Sequence, residues 1–159
     1  MIGFGYDIHQ LAIGETLILG GITITSDKGT IAHSDGDVLI HSIIDAILGA
    51  AGMGDIGELF PDSAPKFLNI ASTELLKIVD QKIKNKGLQI GNIDATIVLE
   101  HPKLLFYKAQ IKDNIAQLLG VPAEKISIKA KTNEQQDSIG KQESIAVYSV
   151  CMLVKSFIY

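Results

Sequence analysis

The sequence predicts a two-layer α/β sandwich, a mixed β-sheet with helices packed on one face. Three observations carry that reading. Short segments alternate apolar and polar residues as strands do, longer runs are amphipathic or wholly apolar as helices are, and the two kinds interleave along the chain. A chain of 159 residues with 47% hydrophobic and 20% charged residues is ordinary globular composition, so residues 1–159 are read as one domain able to bury a real core.

The elements follow in order. Gly3-Phe4-Gly5-Tyr6-Asp7-Ile8-His9 reads as extended. Leu17-Ile18-Leu19 and Ile22-Thr23-Ile24 flank Gly20-Gly21, a pair able to take positive φ, which makes a β-hairpin. The run from about Asp37 to Ala51 is too long and too apolar for a loop and reads as a buried helix ending in Gly52-Met53-Gly54. Asp55 to Ser63 is polar and contains Gly and Pro, the composition of a loop. A second helix is expected to start with Ser72 as its cap and to place Leu75, Leu76, Val79 and Ile83 on one face up to Lys86-Gly87. Asn92 to Leu99 alternates as a strand, Lys103 to Leu119 reads as a third helix closed by Gly120, and Ile126 to Ala130 and Ser144 to Lys155 supply the last strands. The succession suggests a ferredoxin-like arrangement.

Composition also excludes. A formal charge of -4 argues against non-specific nucleic-acid binding, which needs a clustered basic surface. No apolar run approaches the length of a membrane span, and the first residues lack the pattern of a signal peptide, so a soluble, cytoplasmic protein is expected. The single cysteine, Cys151, lies in an apolar run and reads as a small core residue. All 14 cationic residues are lysines. Any phosphate must therefore be held without the bidentate fork of a guanidinium.

Chemistry concentrates near the N-terminus. Asp7 and His9 are two residues apart, so on a strand both point to one face. His41 follows the polar turn His33-Ser34-Asp35-Gly36-Asp37 and begins the buried helix. Two imidazoles and a carboxylate suit zinc, and three protein ligands leave a fourth position open for substrate. Histidines of apolar helices are more often hydrogen-bonded core residues. Against that stands their clustering, since three of the four lie within the first 41 residues.

Two later loops are candidates of a different kind. Lys131 to Glu143 is polar throughout and reads either as a solvated loop or as a site for phosphate and a divalent cation. Glu100-His101-Pro102-Lys103 precedes the expected third helix, whose free amides could meet an anion.

Taken together, Asp7-Ile8-His9, His33-Ser34-Asp35-Gly36-Asp37 with His41, Gly54-Asp55-Ile56-Gly57 with Phe60-Pro61-Asp62, Pro102-Lys103 and Lys129-Ala130-Lys131-Thr132-Asn133-Glu134 stand in the order and spacing of one family. Over essentially its whole length the chain resembles the 2-C-methyl-D-erythritol 2,4-cyclodiphosphate synthases of the non-mevalonate isoprenoid pathway. The resemblance implies a homotrimer with sites between subunits, acting on a small cytidine diphosphate substrate and releasing CMP. It implies zinc on Asp7, His9 and His41, magnesium or manganese on Glu134, and transition-state stabilisation by His33 and Thr132. It assigns the methylerythritol phosphate end to Ser34, Asp55, Gly57, Phe60 and Asp62. The cytidine and its phosphates fall to Leu99, Glu100, His101, Pro102, Lys103, Leu104 and Leu105 together with Lys131, Thr132, Asn133 and Glu134, and Asp7, Ile8, His9, His33, Ile56, Pro61, Ser63, Ala64 and Lys141 are further substrate-binding positions.

The chain differs from the family pattern at the edge of this site. Lys141 stands where an arginine is common, Ser138 where an aromatic residue is, and Ala64 where an acid is frequent. Two other readings stay open: a zinc hydrolase using Asp35, Asp37 or Asp45 as base, and a non-catalytic trimer binding isoprenoid diphosphates. Asp37 and Asp45 each lie four residues from His41 and are equally candidates for orienting its ring.

Overall fold

Alternation along one long strand decides what the sheet buries. In the computed structural model, which describes residues 1–32, 34–61 and 70–156, β1 (Ile2–Ile13) turns Gly3, Gly5, Asp7, His9 and Leu11 to the covered face and leaves Ile2, Phe4, Tyr6 and Ile8 exposed. The main sheet runs β4 (Lys28–Thr30), β1, β7 (Ser144–Lys155), β5 (Leu88–Val98), β6 (Ile126–Lys131). All neighbours are antiparallel except β5 and β6. A parallel pair needs a crossover, and α4 (Lys108–Leu119) lies in the connection. The predicted hairpin forms a separate two-stranded sheet of β2 (Leu17–Leu19) and β3 (Ile22–Ile24), with Leu17 opposite Ile24 and with φ of 62° and 76° at Gly20 and Gly21.

Mixed sheet and helical cover agree with expectation, but the ferredoxin-like arrangement does not. That motif runs β-α-β-β-α-β. Here α1 (Val38–Ala51) and α3 (Ser72–Asn85) precede β5, α4 separates β5 from β6, and β7 then inserts between β1 and β5. The second helical crossover takes the place of the motif's central hairpin.

The helix α1 is apolar almost all round because it is enclosed, with β1 and β7 on one side and α3 on another. Its approach to β1 is unusually close. A Cβ on Gly3 would stand 2.0 Å from the Ala46 carbonyl oxygen, and one on Gly5 1.9 Å from that of Ser42. Only glycine admits helix backbone at this distance. Ser42, fully buried, donates to the Gly5 carbonyl at 3.2 Å and lies 2.8 Å from Ser149 Oγ, which ties helix to sheet at the same point. At the N-terminus of α1 the Asp37 carboxylate accepts from Ile40 N–H, Gly20 N–H (both 3.0 Å) and Gly21 N–H (2.6 Å), capping the helix and fastening the hairpin to it. Burial pushes this carboxyl up to about 6 against the pull of its three amide donors.

Boundaries shift where tertiary contacts override local pattern. Ala71 occupies the cap position of α3 without a side-chain hydrogen bond, and Ser72 is the first helical residue, its hydroxyl turned inward. The third long helix begins at Lys108 rather than Lys103, because residues 103–107 form a turn with Leu104 sunk in the core and Tyr107 Oη accepting from Thr25 N–H at 3.2 Å. No helix N-terminus therefore stands at Glu100–Lys103. In the expected loop after Gly54, a single helical turn α2 (Ile56–Leu59) forms, capped by Asp55 and with Ile56 N–H bonded to Asp45 Oδ1 at 2.8 Å. A second short turn, α5 (Asp137–Gly140), interrupts the late polar loop. Cys151 is fully buried, and burial pushes its thiol up to about 12, which makes it an inert core residue. Among the described residues no helix is long and apolar enough to cross a membrane.

The contact at Gly5 yields a test. Gly5→Ala is expected to destabilise the fold by about 3 kcal/mol, since backbone rather than a flexible side chain must move. The midpoint of urea unfolding, with circular dichroism as probe, measures it.

Candidate metal centre and phosphate loops

Two elements of structure aim three ligand atoms at one point. From β1, Asp7 and His9 project side by side toward the helical layer, and His41, in the first turn of α1, comes down onto them across the glycine contact. Asp7 Oδ2 lies 3.2 Å from Nδ1 of His9 and 3.2 Å from Nδ1 of His41, and the three atoms fall within 4.8 Å of one another. The two rings are tilted, with centroids 5.4 Å apart.

Electrostatics and bonding fit a cation at that point. Burial opposes the charge on Asp7, but the hydrogen bond from His41 and the nearness of both imidazoles outweigh it and hold the carboxyl down at about 2. Burial likewise works against a proton on His41, and the Asp7 carboxylate, helped by Asp37 and Asp35, still raises its basicity. His9 Nδ1 is buried, and among the described residues it has no partner with hydrogen-bond geometry despite its nearness to Asp7. An orphaned imidazole nitrogen is costly unless something completes it. Two imidazole nitrogens and a carboxylate oxygen suit a divalent transition metal, with room for a further ligand.

Around the trio, carboxylates are already committed. Asp37 caps α1, Asp45 holds Ile56, and Asp35 Oδ2 accepts from Ser72 N–H at 2.9 Å while its Oδ1 accepts from Ser72 Oγ. Ser72 Oγ in turn lies 2.9 Å from His41 Nε2. Neither Asp37 nor Asp45 orients the His41 ring, although both lie one helical turn away; the contact comes from a residue 31 positions distant. Sequence spacing carries no trace of that approach, and Ser72 had been read only as a cap.

The other expected residues divide into groups. Ile8 is exposed beside Asp7, and its N–H bonds Asp7 Oδ1 at 2.9 Å. Ser34 Oγ accepts from Gly36 N–H at 3.2 Å. Asp55 caps α2, and Gly57 lies within that turn. Phe60 is packed in the core, while Pro61 is exposed. His33, Asp62, Ser63 and Ala64 lie outside the described residues.

At the opposite edge of the sheet, Leu99, Pro102, Lys103, Leu104 and Leu105 line a groove of about 190 Å³ together with Lys131 and Thr132. Glu100 Oε2 accepts from Asn133 N–H at 3.0 Å, which fixes the late loop against this segment. Thr132 Oγ1 donates to Glu134 Oε1 at 3.1 Å. Lys141 is exposed just after α5. His101 lines a separate cavity with Lys28 and Gln142, a feature that no sequence pattern announced.

Asp7 pairs with Val147, Val147 with Ile97, and Ile97 with Ala130, so three strand spacings, about 14 Å, separate the metal trio from the strand that leads to Glu134.

Comparison with known proteins finds relatives along nearly the whole chain. The family model described as YgbB family matches residues 1–154. The chain is 51% identical over 152 residues to the 2-C-methyl-D-erythritol 2,4-cyclodiphosphate synthase of Clostridium kluyveri, covering 96% of this chain and 93% of that one. It is 49% identical over 154 residues to the synthase of the same name from Enterococcus faecalis, covering 97% and 98%. A solved structure of 2C-methyl-D-erythritol-2,4-cyclodiphosphate synthase in a CDP-bound form superposes with a TM-score of 0.91 at 32% identity, over 97% of this chain and 100% of that one. With a matched model over nearly its full length and relatives near half identity, the chain belongs to the YgbB family.

Proposed function

We propose that this chain is a phosphorus-oxygen lyase that converts 4-diphosphocytidyl-2-C-methyl-D-erythritol 2-phosphate to 2-C-methyl-D-erythritol 2,4-cyclodiphosphate and CMP. The observation that carries the reading is the convergence of Asp7, His9 and His41 on one point in a chain about half identical to synthases of that name. An oxygen of the 2-phosphate bonds to the β-phosphorus. The bond from that phosphorus to the oxygen bridging the α-phosphate breaks, and its electron pair leaves with CMP. The nucleophile is already ionised at neutral pH, so the protein must align and neutralise rather than supply a strong base.

Asp7, His9 and His41 are proposed to hold zinc, and Glu134 magnesium or manganese; when bound, these ions supply positive charge to the diphosphate oxygens. Thr132 and His33, at positions the family resemblance marks for transition-state stabilisation, are proposed to donate hydrogen bonds to the transferring phosphoryl group. The groove between Leu99–Leu105 and Lys131–Thr132 accepts the cytidine end, with lysines rather than arginines around its phosphates. Ser34, Asp55 and Gly57, with the segment from Phe60 to Ala64, are proposed for the methylerythritol phosphate end.

About 14 Å of sheet lies between the trio and Ala130, on the strand that leads to Glu134, and this span supports placing the two halves of one site on different copies of the chain. We infer a homotrimer in which the late loop of one copy completes the trio of the next. Supporting it, the uncovered sheet face exposes Phe4, Tyr6, Tyr148, Val150 and Met152, with Tyr6 and Tyr148 ring centroids 5.1 Å apart. Such a contiguous apolar face is rare on a monomer. A cytoplasmic location is part of the proposal, consistent with a lone, buried, reduced cysteine. The hydrolase reading loses ground because Asp35, Asp37 and Asp45 are each already engaged.

Phosphorus NMR of the zinc- and magnesium-loaded protein with the named substrate is expected to give CMP together with a cyclic diphosphate. Linear phosphates beside CMP would indicate hydrolysis, and intact substrate a binding protein. His41→Ala is expected to lose stoichiometric zinc and turnover while keeping the wild-type circular dichroism; an active variant still holding one zinc would sink the ligand set. Zinc affinity in the wild type is expected to fall at least about tenfold per pH unit as acid protonates the ligand set, His41 included. The raised basicity of His41 places the onset above the ordinary histidine range, whereas Asp7, held at about 2, stays ionised and contributes no slope there. Competition with a chromophoric chelator between pH 5 and pH 8 reads this curve.

A further inference from the structure

The chain Asp35–Ser72–His41 has only one consistent direction. Asp35, as a carboxylate, is acceptor-only, and it takes both Ser72 N–H, at 2.9 Å, and the Ser72 hydroxyl. A serine has a single hydroxyl proton. With that proton given to Asp35, Ser72 Oγ can only accept from its remaining neighbour, His41 Nε2, at 2.9 Å. A neutral His41 ring bonded to Ser72 in this way carries its proton on Nε2 and presents its lone pair on Nδ1, giving up the Nδ1–H bond to Asp7 Oδ2 that the imidazolium makes. Nδ1 is the atom that faces Asp7 and His9.

We propose that Ser72 is a positioning residue which, held by Asp35, sets the tautomer and ring angle of His41 for metal binding through Nδ1. The inference rests on the reading of Asp7, His9 and His41 as zinc ligands and extends it to two residues outside the ligand set. Its elements are well separated: Asp35 lies in the turn before α1, Ser72 opens α3, and only folding brings them to the ring. Ser72 is fully buried, so water does not substitute for the hydroxyl without cost. Helix capping does not explain the side chain, because Ala71 holds the cap position and the backbone bond from Ser72 N–H to Asp35 survives truncation to alanine.

Partners of this kind typically change metal affinity about 10- to 100-fold. Two variants test the role, Ser72→Ala and Asp35→Asn, in the full-length protein. Zinc dissociation constants come from chelator competition, and the state of His41 from long-range proton–nitrogen correlation spectra of the zinc-free protein above the histidine titration. The wild type is expected to show the Nε2–H form. Both variants are expected to bind zinc at least tenfold more weakly and to show mixed tautomers, with zinc-free thermal midpoints lowered by only a few degrees. Wild-type zinc affinity in Ser72→Ala, or a His41 ring that keeps the pure Nε2–H form in both variants, overturns the proposal. So does a fall in affinity matched by a larger fall in the zinc-free melting midpoint, the mark of a merely structural role. If the wild-type protein binds no zinc, the ligand reading fails instead, and the spectra of zinc-free protein still decide whether Ser72 sets the tautomer.

Discussion

Everything at the metal trio depends on the backbone of α1 resting directly on β1. Gly3 and Gly5 have no side chains to hold the layers apart, and the carbonyls of Ala46 and Ser42 occupy the space that Cβ atoms would need. Ordinary helix-on-sheet packing keeps the axes about 10 Å from the sheet, a separation set by interleaved side chains. Removing those side chains locally lets His41 reach residues only two and four positions beyond the contact on the strand. The same strand therefore carries both the device that draws the helix in and the ligands the helix meets. Its alternation serves a third purpose, since the residues between them form the exposed apolar face.

Asp37 supports this arrangement from the other end. One buried carboxylate caps α1 and gathers two amides of the β2–β3 turn, so the first turn of α1 is fixed against the hairpin as well as against the sheet. Two neighbouring acids serve comparable ends, Asp45 by holding α2 and Asp35 by holding α3. A sequence rich in aspartate near histidines suggests a choice of catalytic bases. The structure spends these aspartates on amides and a hydroxyl, and the resulting rigidity is what a site acting by alignment needs.

What was legible in the sequence was what local periodicity encodes. Asp7 and His9 share a face because strand side chains alternate, and His41 could be joined to them because it begins an apolar helix after a polar turn. The hairpin at Gly20-Gly21 and the strands near the C-terminus follow from the same kind of signal. Ser72 shows the limit. Its serine at a helix start is a sound cap by pattern, but Ala71 takes that position and the hydroxyl goes to a partner 31 residues away. The start of α4 was misplaced for the same reason, since the burial of Leu104 and the Tyr107–Thr25 bond are tertiary facts. The strand order, too, depends on where β7 inserts, which no local pattern fixes.

The late loop turns the absence of arginine into a structural problem with a visible solution. Without guanidinium forks, the phosphate recognition proposed for this loop would fall to lysines, hydroxyls and backbone amides, and amides recognise only if the backbone is held in place beforehand. Glu134, Gln135 and Asp137 all take positive φ, at 49°, 61° and 52°, a conformation costing non-glycine residues about 1 kcal/mol or more each. Such a backbone persists only when its surroundings over-determine it. Here Glu100 grips Asn133 N–H, Asn133 Nδ2–H donates to the Gln136 carbonyl, and Gly140 lies so near Gln135 that a Cβ would stand 2.1 Å from its carbonyl carbon. The loop that bears Thr132 and Glu134 is thus shaped by its own chain before any ligand arrives, so the conformational strain is met during folding and is not subtracted from binding.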